Sequence, residues 1–121
     1  MRILVVDDDA APRQRLVGIL QDAGHSVVEA RSGEEALTQL GLQTFEVVIT
    51  DVVMPEMDGI ELLGRVRSEY PSVKTIVLSA SEYSQDAVFL KMARTLGAAA
   101  AFKKSVSAEE LRLVIETFER G

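Results

Sequence analysis

Oxygen-bearing side chains stand at the ends of three short apolar segments in this 121-residue chain. They are Asp7, Asp8 and Asp9 after the first segment, Asp51 after the third and Ser79 after the fourth. Carboxylates that share one cleft repel each other unless a cation joins them. An all-oxygen site suits a hard ion such as Mg²⁺, which keeps several waters and accepts phosphate oxygens. If the fold brings these aspartates together, the pattern indicates a magnesium site.

The elements that must position these side chains alternate between strand and helix five times. Apolar runs predict strands at 3–6, 26–29, 47–50, 75–78 and 98–102. We expect Gly24 and Gly97 to end the first and the fourth helix. Cap pairs spaced three residues apart start the other helices, namely Ser32 with Glu35, Asp58 with Glu61 and Ser107 with Glu110. This alternation predicts an α/β fold, with one parallel sheet and helices on both faces.

The carboxyl ends of the strands line the ligand crevice in an open parallel sheet. We expect the first and third strands to be neighbours at the point where the strand order reverses. That arrangement would gather Asp7, Asp8 and Asp51 in one cleft, with Ser79 and Lys104 at the ends of the next two strands.

Composition indicates a soluble globular protein, with 47% hydrophobic and 26% charged residues. The length suits one domain over residues 1–121. Without cysteine there are no disulfides, thiolate metal sites or thiol catalysis. The net charge of −6 opposes direct binding to nucleic acid or anionic membrane, and no apolar run is long enough to span a bilayer. The N-terminus lacks a secretory pattern, so we expect a cytoplasmic location.

Several candidates also have an ordinary structural explanation. Asp9 is expected to be the N-cap of the first helix. A serine such as Ser79 is often a turn hydroxyl, and Lys103 competes with Lys104 for any role of a lysine after the fifth strand. His25, the one histidine, lies in a predicted turn and is expected on the surface.

The segments Val5–Asp9, Asp51–Gly59 and Leu78–Ala80, together with Lys104, resemble the receiver domains of response regulators in two-component signalling. The similarity covers the whole chain in order, and the segment after Asp51 is its most specific part. The resemblance implies a flavodoxin-like, doubly wound sheet of five parallel strands in the order 2-1-3-4-5, with five helices. It also implies a single receiver domain over residues 1–121.

The resemblance implies that Asp51 accepts a phosphoryl group and forms an aspartyl phosphate. Asp8, Asp51 and the backbone carbonyl of Val53 would bind Mg²⁺ directly. Asp7 would act mainly through a metal-bound water.

Lys104 would pair with Asp51 and then with a phosphoryl oxygen, and Ser79 would be the switch hydroxyl that donates a hydrogen bond to the phosphoryl group. A histidine kinase or a histidine phosphotransfer protein would supply that group. A downstream protein target or an output domain would read the face formed by helix four, strand five and helix five. A homodimer through the face of the fourth helix is a further option. The chain would not be a metabolic enzyme, since it would catalyse only its own phosphorylation and dephosphorylation.

Two positions depart from the family pattern. Receivers usually have proline, preceded by a cis peptide bond, where this chain has Ser105, so we expect Lys104 to be less well placed. They usually have Tyr or Phe where this chain has Ala101. Phe102 is one residue away and should point to the opposite side of the sheet. We therefore predict a shallower, more mobile face formed by helix four, strand five and helix five. The segment from Ser79 to Gly97 is also slightly long for the family, so we expect an unusual loop before the fourth helix.

Two other functions compete with the receiver interpretation. The first is a pseudo-receiver, which would bind partners without being phosphorylated, and Ser105 and Ala101 favour it. The second is a phosphohydrolase with an aspartyl intermediate. Such enzymes usually carry a second aspartate two residues after the nucleophile, and here that residue is Val53, which is no acid or base.

Overall fold

Helices cover both faces of a five-stranded parallel sheet in this computed structural model, which describes residues 1–79 and 84–121, with 84–87 and 89 as backbone only. The strands are β1 (Arg2–Val6), β2 (Ser26–Ala30), β3 (Val47–Asp51), β4 (Lys74–Ser79) and β5 (Ala100–Lys103). The helices are α1 (Ala10–Asp22), α2 (Gly33–Leu42), α3 (Gly59–Glu69), α4 (Ser84–Thr95) and α5 (Ala108–Glu119). The strand order is β2-β1-β3-β4-β5, with every neighbouring pair parallel. The predicted flavodoxin-like arrangement is confirmed.

The strands are continuous aliphatic runs because both of their faces are covered. Successive side chains alternate across a strand. Ile3 and Val5 therefore pack with residues of α1 and α5 on one face, and Leu4 and Val6 pack with residues of α2 and α3 on the other. A sheet enclosed in this way exposes its polar groups mainly at the strand ends, where the candidate site lies.

Side-chain caps start four of the helices as the sequence predicts. Ser32, Asp58 and Ser107 each accept a hydrogen bond from the backbone N–H three residues later, at 3.0, 2.8 and 3.1 Å. Asp9 caps α1 by accepting from the N–H of Ala11 at 3.3 Å. The N-cap role expected for Asp9 is therefore confirmed.

The predicted start of the fifth strand at residue 98 is wrong, since β5 begins at Ala100. The N–H of Ala98 donates to the carbonyl of Ala93 at 2.9 Å, which makes Ala98 part of the turn at Gly97 that follows α4. Gly97 signals the end of the helix, but the four consecutive alanines after it give no local signal for where the strand begins. The predicted unusual loop before α4 lies outside the described residues.

Ala101 and Phe102 lie on opposite faces of β5, as predicted. Ala101 is buried beside Ala93 of α4 and Leu63 of α3, whereas Phe102 packs against the cluster that contains α1 and α5 residues. Phe102 therefore does not replace the side chain missing at position 101. The mobility of this face stays a prediction.

His25 is not a surface residue, so the expectation for it is wrong. Its side chain is only 9% exposed. Its Nδ1 lies 3.0 Å from the Met1 nitrogen, and its Nε2 lies 3.6 Å from a carboxylate oxygen of Glu119. Met1 approaches the ring because β2 pairs with β1, and Glu119 approaches it from the end of α5. Both residues are distant from His25 in sequence.

None of the helices in the described part of the chain combines the length and the apolar character needed to cross a bilayer.

Candidate functional site

Three carboxylates meet at the carboxyl edge of the sheet. β1 and β3 are adjacent, with Val6 paired to Thr50, so both strands end at the same level. One carboxylate oxygen from each of Asp7, Asp8 and Asp51 lies within 4.8 Å of the others. The predicted gathering of these three aspartates is confirmed.

The backbone and carboxylate of Asp7 are held on several sides. Its N–H donates to the carbonyl of Ala30 at 3.1 Å, and its Oδ1 accepts from the N–H of Asp9 at 2.9 Å. Its backbone carbonyl accepts from Nη1 of Arg13 at 2.9 Å. Asp7 is buried, whereas the neighbouring Asp8 is exposed. The loop therefore presents one fixed carboxylate and one that solvent reaches.

Arg13 is a site residue that sequence reasoning missed. The guanidinium is largely buried, and its Nε forms a 2.8 Å ion pair with Glu29 of β2 while Nη1 binds the Asp7 carbonyl. One signal was available, because Arg13 shares the buried face of α1 with Leu16 and Leu20. An arginine at an apolar position is costly to bury unless it has partners, so it marks a buried polar contact.

Asp51 is 5% exposed, and the start of α3 comes very close to its backbone. The N–H of Gly59 donates to the carbonyl of Val52 at 2.8 Å. A Cβ at position 59 would overlap the Asp51 carbonyl oxygen and lie 2.9 Å from Val52 Cα. Glycine is required here for this close approach, which brings the positive end of the α3 dipole towards Asp51.

Burial raises the pKa of Asp51 above its ordinary value, and the charge of Asp7 adds to that rise. Lys104 and the backbone N–H of Val53 oppose it by stabilising the carboxylate. Burial lowers the pKa of Lys104, but pairing with Asp7 and Asp51 outweighs burial and leaves that pKa raised. The lysine therefore stays charged beside the carboxylates.

Lys104, not Lys103, reaches the acidic cluster. Its Nζ donates to Asp51 Oδ2 at 3.1 Å and lies 2.7 Å from Asp7 Oδ2, whereas Lys103 is exposed. The peptide bond between Lys104 and Ser105 is trans. The expectation that serine at 105 would leave Lys104 less well placed is not supported, because the trans backbone still brings Nζ to both carboxylates.

Ser79 and Val53 complete the set of predicted site residues. Ser79 is buried at the end of β4, and its carbonyl accepts the N–H of Lys104 at 2.6 Å. Val53 follows β3 with an exposed side chain, and its backbone N–H stabilises the Asp51 carboxylate. The switch role of the Ser79 hydroxyl and the metal role of the Val53 carbonyl stay predictions.

The site has carboxylate oxygens that are available to bind a cation. Among the described residues, Asp51 Oδ1 and Asp7 Oδ2 are buried carboxylate oxygens without a well-angled hydrogen bond. Lys104 Nζ is close to Asp7 Oδ2, but the contact is an ion pair and not a hydrogen bond, because the donor–acceptor angle is unfavourable. A buried anionic oxygen without a donor is costly, so a hard divalent cation fits this donor set.

Comparison with known proteins points to one family. The model of the response regulator receiver domain matches residues 3–116. The chain is 44% identical over 103 residues to the sensor kinase CckA of Brucella abortus, covering 83% of this chain and 10% of CckA. It is 41% identical over 88 residues to the transcriptional regulatory protein PhoP of Escherichia coli, covering 73% of this chain and 40% of PhoP. The chain therefore spans less than half the length of these relatives.

A solved structure shares the fold along almost the whole chain. The response regulator protein TrrA of Thermotoga maritima, solved in complex with Mg²⁺ and BeF, superposes with a TM-score of 0.84 at 32% identity. The match covers 97% of each chain.

Proposed function

The chain belongs to the response regulator receiver family, and from that premise we propose that it is a phosphorylation-dependent signalling switch with Asp51 as the phosphoryl acceptor. The observation that carries the proposal is the state of the Asp51 carboxylate. Oδ2 is held by Lys104, while Oδ1 is buried and accepts no well-angled hydrogen bond from the described residues. A nucleophile of this kind is oriented through one oxygen and available through the other.

In the proposed reaction, a carboxylate oxygen of Asp51 attacks the phosphorus of a phosphohistidine on a partner. A P–O bond to Asp51 forms, the P–N bond breaks, and its electron pair returns to the imidazole. Asp8, Asp51 and the Val53 carbonyl would hold Mg²⁺, with Asp7 acting through a water, and the ion would supply charge neutralisation for the phosphoryl oxygens.

Lys104 has a second task in this scheme. Its single positive charge offsets part of the charge of Asp7 and Asp51 before transfer, which stabilises the two buried carboxylates beside each other. As the phosphoryl group adds negative charge, the ammonium would turn from Asp51 to a phosphoryl oxygen. The Ser79 hydroxyl, at the end of the adjacent strand, would then donate to another phosphoryl oxygen and move its loop. The chain would catalyse only its own phosphorylation and dephosphorylation.

The partners follow from the family. A histidine kinase or a histidine phosphotransfer protein would donate the phosphoryl group, and a downstream protein or an output domain would read the result. We propose that residues 1–121 act as one receiver unit in this exchange. A homodimer, a cytoplasmic location and the absence of direct nucleic-acid binding stay predictions.

Intact-protein mass spectrometry after incubation with a small-molecule phosphoryl donor and Mg²⁺ tests the proposal. We expect one phosphoryl group per chain, which is lost with a chelator and in Asp51→Asn. Asp58→Asn is the matched control, because asparagine caps a helix as well as aspartate does, and it should be phosphorylated normally. A folded wild-type protein that takes up no phosphoryl group would instead support the pseudo-receiver.

A further inference from the structure

Lys104 and Ser105 are the central residues of a tight turn that links β5 to α5. The N–H of Val106 closes the turn by donating to the Lys103 carbonyl at 2.9 Å. Serine has no ring to fix its φ, so this turn keeps ordinary backbone freedom. Its outer side borders an open cavity of about 350 Å³ that Ser105 and Val106 help to line. The turn has room to move, yet Lys104 Nζ must stay close to two carboxylates.

Contacts from outside the turn hold it on both sides. On the β4 side, the N–H of Lys104 donates to the Ser79 carbonyl at 2.6 Å. On the far side, Nη2 of Arg15 in α1 donates to the Val106 carbonyl at 2.9 Å, across 91 positions of sequence. A hydrogen bond from a charged guanidinium is stronger than one from a neutral donor. Two residues earlier on the same helix, Arg13 binds the Asp7 carbonyl. Helix α1 therefore contacts both loops that carry the acidic cluster and its lysine.

We propose that Arg15 is a positioning residue for Lys104. Its guanidinium fixes the far corner of the turn, so that the Lys104 ammonium stays on Asp7 and Asp51. The inference rests on the proposed function, because the position of Lys104 matters most if that ammonium donates a hydrogen bond to a phosphoryl oxygen. Arg15 itself contacts no reacting atom.

Lysine labelling tests the position of Lys104 without any phosphorylation. The protein is treated with an amine-acetylating reagent, and modification of individual lysines is followed by peptide mass spectrometry. Lys104 is 17% exposed and paired, so it should react slowly, and the adjacent exposed Lys103 is the internal reference. In Arg15→Met, Lys104 should react faster by about three- to tenfold, as expected for loss of one hydrogen bond from a side chain that solvent reaches, while Lys103 is unchanged. Arg15→Lys should fall between the two.

Arg65→Met is the matched control. It also removes an arginine from a helix, but Arg65 pairs with Glu69 on the exposed side of α3 and forms no hydrogen bond or ion pair with a site residue in the described part of the chain. Lys104 should therefore react at the wild-type rate in this variant.

Phosphorylation rates then show whether Arg15 acts through Lys104. When introduced into the wild-type protein, Arg15→Met should slow phosphoryl uptake by about three- to tenfold. It should have no further effect in a Lys104→Met background, because coupled residues are not additive.

Unchanged labelling of Lys104 in an Arg15→Met protein that keeps its circular dichroism spectrum would overturn the inference, as would equal slowing in both backgrounds. If Arg15→Met loses that spectrum, Arg15→Gln is used in its place. If the wild-type protein takes up no phosphoryl group but Arg15→Met still speeds the labelling of Lys104, the proposed function is refuted and the positioning by Arg15 stands.

Discussion

Replacement of Gly59 by alanine is the sharpest test of how the site is built. Gly59 is the first residue of α3, and the structure leaves no space for a Cβ there. The added carbon would overlap the Asp51 carbonyl oxygen and lie 2.9 Å from both the Asp51 carbonyl carbon and Val52 Cα. The atoms in the way are backbone, which cannot turn aside as a flexible side chain can. Either α3 or the end of β3 must move.

The size of the effect follows from the cost of overpacking. Forcing an extra carbon into a packed site costs about 1–3 kcal/mol. The unfolding entropy of about 2.1 cal/mol/K per residue gives roughly 0.25 kcal/mol/K for 121 residues, so 1 kcal/mol corresponds to about 4 °C. We therefore expect Gly59→Ala to lower Tm by about 4–12 °C. Phosphoryl uptake should also slow, because the Asp51 backbone is the part displaced.

Gly64 in the same helix is the matched control. A Cβ at Gly64 would meet nothing within 4 Å, and alanine is favoured over glycine in a helix by about 1 kcal/mol. Gly64→Ala should thus raise Tm by about 4 °C with unchanged phosphorylation. Thermal unfolding followed by circular dichroism measures both variants. A Gly59→Ala protein that melts at or above the wild-type temperature would refute the close approach of α3 to Asp51.

Two further predictions concern the charge of the site. Asp51→Asn should stabilise the metal-free protein at neutral pH, because the raised pKa of Asp51 means that its ionised form disfavours folding. That penalty is absent below the unfolded-state pKa of 3.8 and complete above the folded one, so the Tm advantage of the variant should be absent below pH 3.8, grow as the pH rises and level off above the folded-state pKa. An equal advantage below pH 3.8 and at neutral pH would contradict the assignment. Mg²⁺ at about 100 times its Kd should stabilise the wild type by about 2.7 kcal/mol, or roughly 10 °C. The gain should shrink in Asp8→Asn and persist in Asp58→Asn, and equal gains in all three proteins would place the ion elsewhere.

Much of the fold could be predicted from the sequence because its signals are local. Aliphatic runs of four or five residues indicate strands covered on both faces, and the caps at Ser32, Asp58 and Ser107 need only a partner three residues away. The gathering of Asp7, Asp8 and Asp51 also followed, since parallel strands share one carboxyl edge and the alternation of elements leaves few topologies.

What the sequence could not determine depends on contacts between distant segments. The enclosure of His25 requires the pairing of β1 with β2 and the end of α5, and the start of β5 depends on how the alanine run after α4 pairs with β4. The trans turn at Ser105 still delivers Lys104 to two carboxylates, which no propensity predicts. The sequence by itself therefore determined which side chains reach the edge of the sheet, because that rests on local periodicity and strand direction. Only the tertiary structure decided how they are held. The packing of α1 on the sheet brings Arg13 to the Asp7 carbonyl and Arg15 to the Val106 carbonyl, and the second contact joins residues far apart in sequence.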